Sequence, residues 1–136
     1  MTKNQPLLID AMTIDEWDRK WDDVPGGLRR PQPQLRHTVG LYRLTLRGQI
    51  MALGTAVDRS RGIAKRLADL GRNGDSGRNH HAGKLIFKNL DVLELEVLET
   101  GGNVEHAREI ARQLRTPMIQ RHHPVWTVQN APYSRK

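Results

Sequence analysis

Two apolar runs, separated by a dipeptide that favours a tight turn, decide the fold of this chain. The first run is Val39-Gly40-Leu41-Tyr42-Arg43-Leu44-Thr45-Leu46, and the second is Gln49-Ile50-Met51-Ala52-Leu53-Gly54. Gly48 of the intervening Arg47-Gly48 can adopt a positive φ at little cost. The two runs are therefore predicted to pair as an antiparallel hairpin.

The rest of the predicted domain follows this hairpin. A third strand is expected from Asp91 to Glu99, because its residues alternate and place one apolar set on a buried face: Leu93, Leu95 and Val97. Helices are expected over residues 58–70, 80–88, 103–115 and 117–123. This order predicts an α+β fold with a small three-stranded antiparallel sheet flanked by helices.

The N-terminal residues are predicted to form a helical arm. Thr13 and Glu16 have the spacing of a capping box, and Trp17 and Trp21 then share one helix face. The two indoles either anchor this helix to the domain or present it to a protein partner. The predicted division is therefore a helix with a basic Pro/Gly linker (1–36), a domain (37–128) and a frayed tail (129–136).

Composition restricts the classes of protein that this chain can belong to. It has 136 residues, no cysteine and no apolar run of about 20 residues that could cross a membrane. Its first residues show no signal peptide. A single main domain without disulfides, in the cytoplasm, is the expected setting.

The charge is concentrated in one block. Residues 28–88 contain thirteen basic and three acidic side chains, and most of the basic ones are arginine. The guanidinium group matches phosphate geometry, so a nucleic acid is the expected partner, and the scarcity of aromatic residues favours duplex DNA over single strands. The candidate binding residues are Arg43, Arg59, Arg61, Lys65, Arg72, Arg78 and Lys84.

Several short motifs in this order resemble the GIY-YIG nuclease domain. Gly40-Leu41-Tyr42 and Ala52-Leu53-Gly54 are similar to its two signatures, and Thr55-Ala56-Val57-Asp58 with Lys65-Arg66-Leu67 to the segment that carries its essential arginine. Three further segments match later parts of the domain: His80–Leu85, Glu96–Glu99 and Ile119–Trp126. The resemblance spans roughly residues 38–127.

The resemblance implies metal-assisted hydrolysis of a phosphodiester. Tyr42 would hydrogen-bond the attacking water, Arg66 would hold the phosphate, and His80 or His81 would act as the base. Arg59 and Arg61 are alternatives to Arg66. Glu109, or Glu105 one turn earlier, would hold Mg²⁺ or Mn²⁺, although registration on the closing segment places Arg115 at that position.

One departure from the family pattern separates two hypotheses. The second signature of the family begins with a tyrosine, and Ala52 stands at this position. The protein is therefore either a divergent metal-dependent endonuclease, in which a histidine replaces the tyrosine, or a degenerate member that binds nucleic acid or a protein without cleavage. The adjacent histidine pairs lack the ligand spacing of a zinc site.

Overall fold

A four-stranded antiparallel sheet forms the centre of the computed structural model, which describes residues 7–72 and 81–126, with only the backbone for 81–83. Its strand order is β3-β6-β4-β5, with bounds Asp22–Asp23, Glu94–Gly102, Thr38–Leu46 and Gln49–Ala56. The strands β1 (Leu8–Ile9) and β2 (Met12–Thr13) pair separately as a hairpin. The α+β class is confirmed, but the prediction of a three-stranded sheet is wrong. Two acidic residues make up β3, so no apolar alternation marks it as a strand.

The predicted central hairpin is confirmed. β4 and β5 pair from Gly40 and Ala56 to Leu46 and Gln49, which leaves Arg47 and Gly48 as a two-residue loop. Both loop residues have positive φ values, 53° and 80°. These values are typical of the type I′ turn, whose twist matches that of the two strands.

Four helices accompany the strands: α1 (Ile14–Asp18), α2 (Gly62–Leu70), α3 (His81–Lys88) and α4 (Glu105–His122). The predicted capping box of α1 is confirmed, since Thr13 and Glu16 bond each other reciprocally. The predicted start of α2 at Asp58 is wrong, because the Asp58 carboxylate accepts the N–H groups of Ser60 and Arg61 and forms a turn first.

Two expectations for the end of the chain also change. The third predicted strand lies three residues later than expected, at Glu94–Gly102, although Leu93, Leu95 and Val97 are all buried as predicted. The two predicted C-terminal helices are one, and Pro117 lies inside α4. Leu114 and Met118 are fully buried on either side of it, so packing outweighs the hydrogen bond that proline removes.

Both faces of the sheet are covered. On one face Leu41, Leu53 and Leu98 pack against α4, through Ile110, Leu114 and Met118. On the other face Tyr42, Leu44 and Ala56 pack against α2 and α3, through Ile63, Leu67 and Ile86. Side chains that project from opposite faces are therefore separated by a full layer of packed strands.

Residues 25–36 are not the predicted linker. They contain a 3₁₀ helix at Gly27–Arg29 and lead into a second at Pro33–His37. Gln32 is buried and its amide donates to the carbonyls of Pro25 and Gly27. Leu35 joins the core beneath α2. This segment, here called the strap, is anchored to the domain by Gln32 and Leu35, whereas its arginines are exposed.

The N-terminal helix is also part of the domain. Trp17 is 4% exposed, and its Nε1 donates to the carbonyl oxygen of Ile9 over 2.8 Å. Asp22 and Asp23 pair with β6 at the edge of the sheet. Residues on both sides of the predicted boundary at residue 37 therefore pack together. The Trp17 indole is buried and is not available to a protein partner. The predicted tail, from 129 onward, lies outside the described residues.

Among the helices that the structure describes, none has the length and apolar character required to cross a membrane.

We predict that Trp17→Ala destabilises the whole domain by about 3–5 kcal/mol, because it removes a large buried side chain. Leu8→Ala is the control, since Leu8 is 57% exposed and its loss is expected to cost under about 0.5 kcal/mol. Urea unfolding followed by circular dichroism measures both. Equal stability of the two variants would show that the N-terminal residues are a dispensable arm.

Candidate nucleic-acid interface

Tyr42 and Arg66, two of the predicted catalytic residues, contact each other. Tyr42 lies in the middle of β4 opposite Gly54 and is 6% exposed. A Cβ at Gly54 would lie 2.8 Å from the Tyr42 hydroxyl, so the glycine makes room for the phenol. The Arg66 guanidinium lies over the Tyr42 ring, 5.9 Å from its centroid. This distance is near the outer limit of a cation–π contact, and the N–H groups of Arg66 form no hydrogen bond with another described residue.

Ala52, which stands where the resemblance expects a tyrosine, lies in the core. It pairs with Leu44 across the sheet and is 2% exposed, in the cluster that includes Ile63 and Leu67 of α2. A phenol at this position would have to displace these neighbours. The position is therefore a packing site in this chain.

Glu109, the predicted metal ligand, is not near Tyr42 or Arg66. It lies on the solvent side of α4, which covers the opposite face of the sheet. Its carboxylate accepts hydrogen bonds from Arg112 at 3.2 Å and Gln113 at 3.4 Å. The structure thus brings Tyr42 and Arg66 together and keeps Glu109 apart from them.

Glu105, the alternative ligand, is on the same helix and is bound by three arginines. Arg59, Arg108 and Arg112 all form ion pairs with it, at 3.1–3.4 Å. The hydrogen bonds from Arg112 and then Arg108 lower the pKa of this carboxyl. Arg115 also belongs to α4. Whichever of Glu105, Glu109 and Arg115 is aligned with the metal ligand of the family, that residue lies on α4 and not on the face of the sheet that carries Tyr42.

The carboxylates that the resemblance assigns to a divalent metal, Glu105 and Glu109, lie on α4, across the sheet from Tyr42 and Arg66. Within the part of the chain that the structure describes, no three His, Asp or Glu side chains lie close enough together to share an ion. His80 lies outside the described residues, and for His81 only the backbone at the start of α3 is described. The proposed role of these histidines stays a prediction.

Arg43, predicted to bind nucleic acid, is instead held within the protein. Its Nε donates to Glu96 over 2.6 Å, its guanidinium lies 4.4 Å from the centroid of the Trp21 ring, and His122 lies 3.5 Å from its Nη1. Arg43 and Glu96 are directly opposite on β4 and β6. A phosphate would have to compete with this partly buried ion pair for the Arg43 guanidinium.

Other basic side chains on the side of the molecule that carries α4 and the N-terminal residues also pair with carboxylates. Arg121 pairs with Asp15 and Asp18, and His122 lies 2.7 Å from Asp18. Burial acts to raise the pKa of Asp18, but hydrogen bonds from His122 and Trp21 outweigh it and lower the pKa. His106 lies 3.1 Å from Asp10. The acidic N-terminal residues therefore pair with three basic side chains of α4: His106, Arg121 and His122.

The opposite side has far fewer acidic groups. The strap, α2 and α3 pack together there, and residues 27–37, 62–70 and 81–88 contain seven basic side chains and one acidic one, Asp69. Lys65 donates to Asp69 over 2.7 Å, and Arg72 lies 3.4 Å from the same carboxylate. We call this surface the α2–α3 face.

Most cations of the α2–α3 face have no ion pair among the residues described. The exposed ones are Arg29, Arg30, Arg36, Lys84 and Lys88, and Arg66 is half-buried. Arg61, at the start of α2, is exposed as well, whereas Arg59 pairs with Glu105 and Arg78 lies outside the described residues. The strap arginines and Lys88 were not among the predicted binding residues, although the charge of residues 28–88 includes them.

No family model matches the sequence, and searches of curated proteins and of solved structures found no match either.

Proposed function

We propose that this protein binds duplex DNA through the α2–α3 face and does not cleave it. The observation that carries the proposal is the uneven pairing of charge: among the described residues most cations on the α4 side form ion pairs, whereas most cations of the α2–α3 face form none. Unpaired cations that lie side by side repel one another, and a phosphate backbone removes this repulsion when it binds.

Arg66 is suited to a central role in this interface. Its contact with the Tyr42 ring limits the conformations of a long side chain before any ligand binds. A guanidinium that is already ordered loses less entropy on binding a phosphate. Arg36 and Arg61 lie near the start of α2, and Lys84 and Lys88 lie on α3, so Arg66 has exposed cations on neighbouring elements.

The absence of cleavage is proposed from the position of the carboxylates. Phosphodiester hydrolysis of the kind that the resemblance implies needs the metal ligand, the phosphate clamp and the water-binding phenol at one reaction centre. Here Glu109 lies beyond the sheet and Tyr42 is buried. A degenerate GIY-YIG-like fold that keeps its basic surface accounts for both features.

One contact favours a second candidate function, the divergent endonuclease. Tyr42 and Arg66 are adjacent, as a phosphate clamp beside a water-binding phenol would require. This candidate needs another acidic or histidine group on the α2–α3 face, and residues 73–80 are the part of the sequence that could supply it. The two candidates differ in a direct assay.

We predict that removing Lys84 and Lys88 together, as Lys84→Gln/Lys88→Gln, weakens binding to a 20-base-pair duplex at least about tenfold. The slope of log K against log salt should become shallower by about 1.8, because each lost phosphate contact removes about 0.9. Fluorescence anisotropy over a salt series measures both quantities.

The matched control is Arg59→Gln/Arg112→Gln, which changes the net charge equally but alters cations that are already paired with Glu105. Its slope should stay within about 0.5 of that of the unmodified protein. Equal losses in the two double variants would show that DNA responds only to the total charge and would contradict the assigned face.

We predict no nicking of supercoiled plasmid by the purified protein with Mg²⁺ or Mn²⁺. Because Glu109 lies across the sheet from Tyr42 and Arg66, we expect Glu109→Ala to give the same result as the unmodified protein in this assay and in DNA binding. An EDTA sample shows whether any nicking depends on metal, and nicking that both Glu109→Ala and Arg66→Ala retain would come from a contaminant. Metal-dependent nicking that Glu109→Ala or Arg66→Ala abolishes would establish the endonuclease instead.

A further inference from the structure

The β4–β5 hairpin ends in three residues that do not pack against the domain. A Cβ placed on Gly48 would meet no atom within 4 Å, so the tip projects into open space. Arg47 and Gln49 on either side of it are exposed. Across the described part of the chain, neither side chain has a hydrogen bond or ion pair with another residue. The tip therefore presents one guanidinium and one amide to the solvent.

Arg47 is held in a backbone conformation that arginine rarely adopts. Its φ is 53°, in the left-handed region, and the two-residue loop requires this value at its first position. Asn, Asp or Gly would satisfy the turn at lower cost. A non-glycine residue in this region of conformational space is a reason to look for a function of its side chain.

The residues that flank the tip pack on the same side of the sheet as α2 and α3. Leu46, which precedes Arg47, packs in the same cluster as Leu85 of α3 and Leu90. Met51, two residues after Gln49, packs there as well. A DNA duplex bound along α3 would therefore lie on the side of the sheet where the residues flanking the tip are packed.

We infer that the hairpin tip, residues 47–49, enters the major groove of duplex DNA. This inference rests on the proposed function and adds to it a contact with the bases. The major groove of B-DNA is about 12 Å wide and admits a two-stranded ribbon, whereas that of duplex RNA is too narrow. Arginine bonds O6 and N7 of guanine, and glutamine bonds N6 and N7 of adenine.

The test is the substitution Arg47→Asn, measured for stability and for binding. Asn suits the turn, so the midpoint of thermal unfolding should rise by a few degrees. Affinity for a 20-base-pair G·C-rich duplex should fall about tenfold. A variant that is more stable but binds less tightly cannot owe its weaker binding to unfolding. Arg59→Asn, with the same change of charge on the other side, is the control.

Two further probes locate the contact. The same duplex containing 7-deazaguanine lacks the N7 acceptor but keeps every phosphate, and the unmodified protein should bind it several-fold more weakly. Arg47→Asn should bind the two duplexes equally. The duplex RNA of the same sequence should bind the unmodified protein and Arg47→Asn with equal affinity, because the tip cannot enter its major groove.

Three results would overturn the inference. In the first, Arg47→Asn binds the duplex as tightly as the unmodified protein does, whereas Lys84→Gln/Lys88→Gln binds it more weakly. The α2–α3 face would then bind DNA, as proposed, but the hairpin tip would not contact it. The unmodified protein could fail to distinguish 7-deazaguanine, which would place the tip outside the groove. Finally, the unmodified protein could show no affinity for duplex DNA at all, and the proposed function would fall with the inference.

Discussion

The burial of β4 on both of its faces is the constraint on which the rest of the structure depends. Leu41 and Leu44 point to opposite sides of this strand, and neither is exposed to solvent. Burying each of these side chains contributes about 1.5–3 kcal/mol, so a helix must cover each side of the sheet. α4 covers one side, and α2 with α3 covers the other. Polar residues carried by these two layers cannot meet at one reaction centre.

The same arrangement separates the charges. The N-terminal residues fold against α4 through Ile9 and Trp17, and this packing brings Asp10, Asp15 and Asp18 beside the basic side chains of that helix. The strap, which folds against α2, has no acidic residue. The uneven distribution of charge along the sequence thus becomes a difference between two faces of the molecule.

Local patterns predicted several local features correctly. Alternation placed Leu93, Leu95 and Val97 on a buried face, Gly48 placed the turn, and Thr13 with Glu16 placed the start of α1. These features depend on residues that are near one another in sequence, so the sequence alone is enough to predict them.

The remaining features depend on contacts between distant residues. Arg43 and Glu96 are 53 residues apart, and His122 and Asp18 are 104 apart, so the sequence could not show that these side chains are in contact. β3 has no apolar alternation, so its sequence does not indicate a strand. The strap is rich in proline and glycine, a composition typical of a linker, and only the structure shows that Gln32 and Leu35 are buried. The resemblance placed Glu109 beside Arg66, and the sheet places it on the other side.

Amide hydrogen exchange with and without a 20-base-pair DNA duplex at about 0.1 M salt tests the central claim most directly. We expect slower exchange in residues 27–37, 62–70 and 84–88 when DNA is bound, and unchanged exchange in residues 105–122. DNA-induced protection confined to residues 105–122, with none in α2 or α3, would contradict the account, because it would place the polyanion on the face where most of the described cations are already paired.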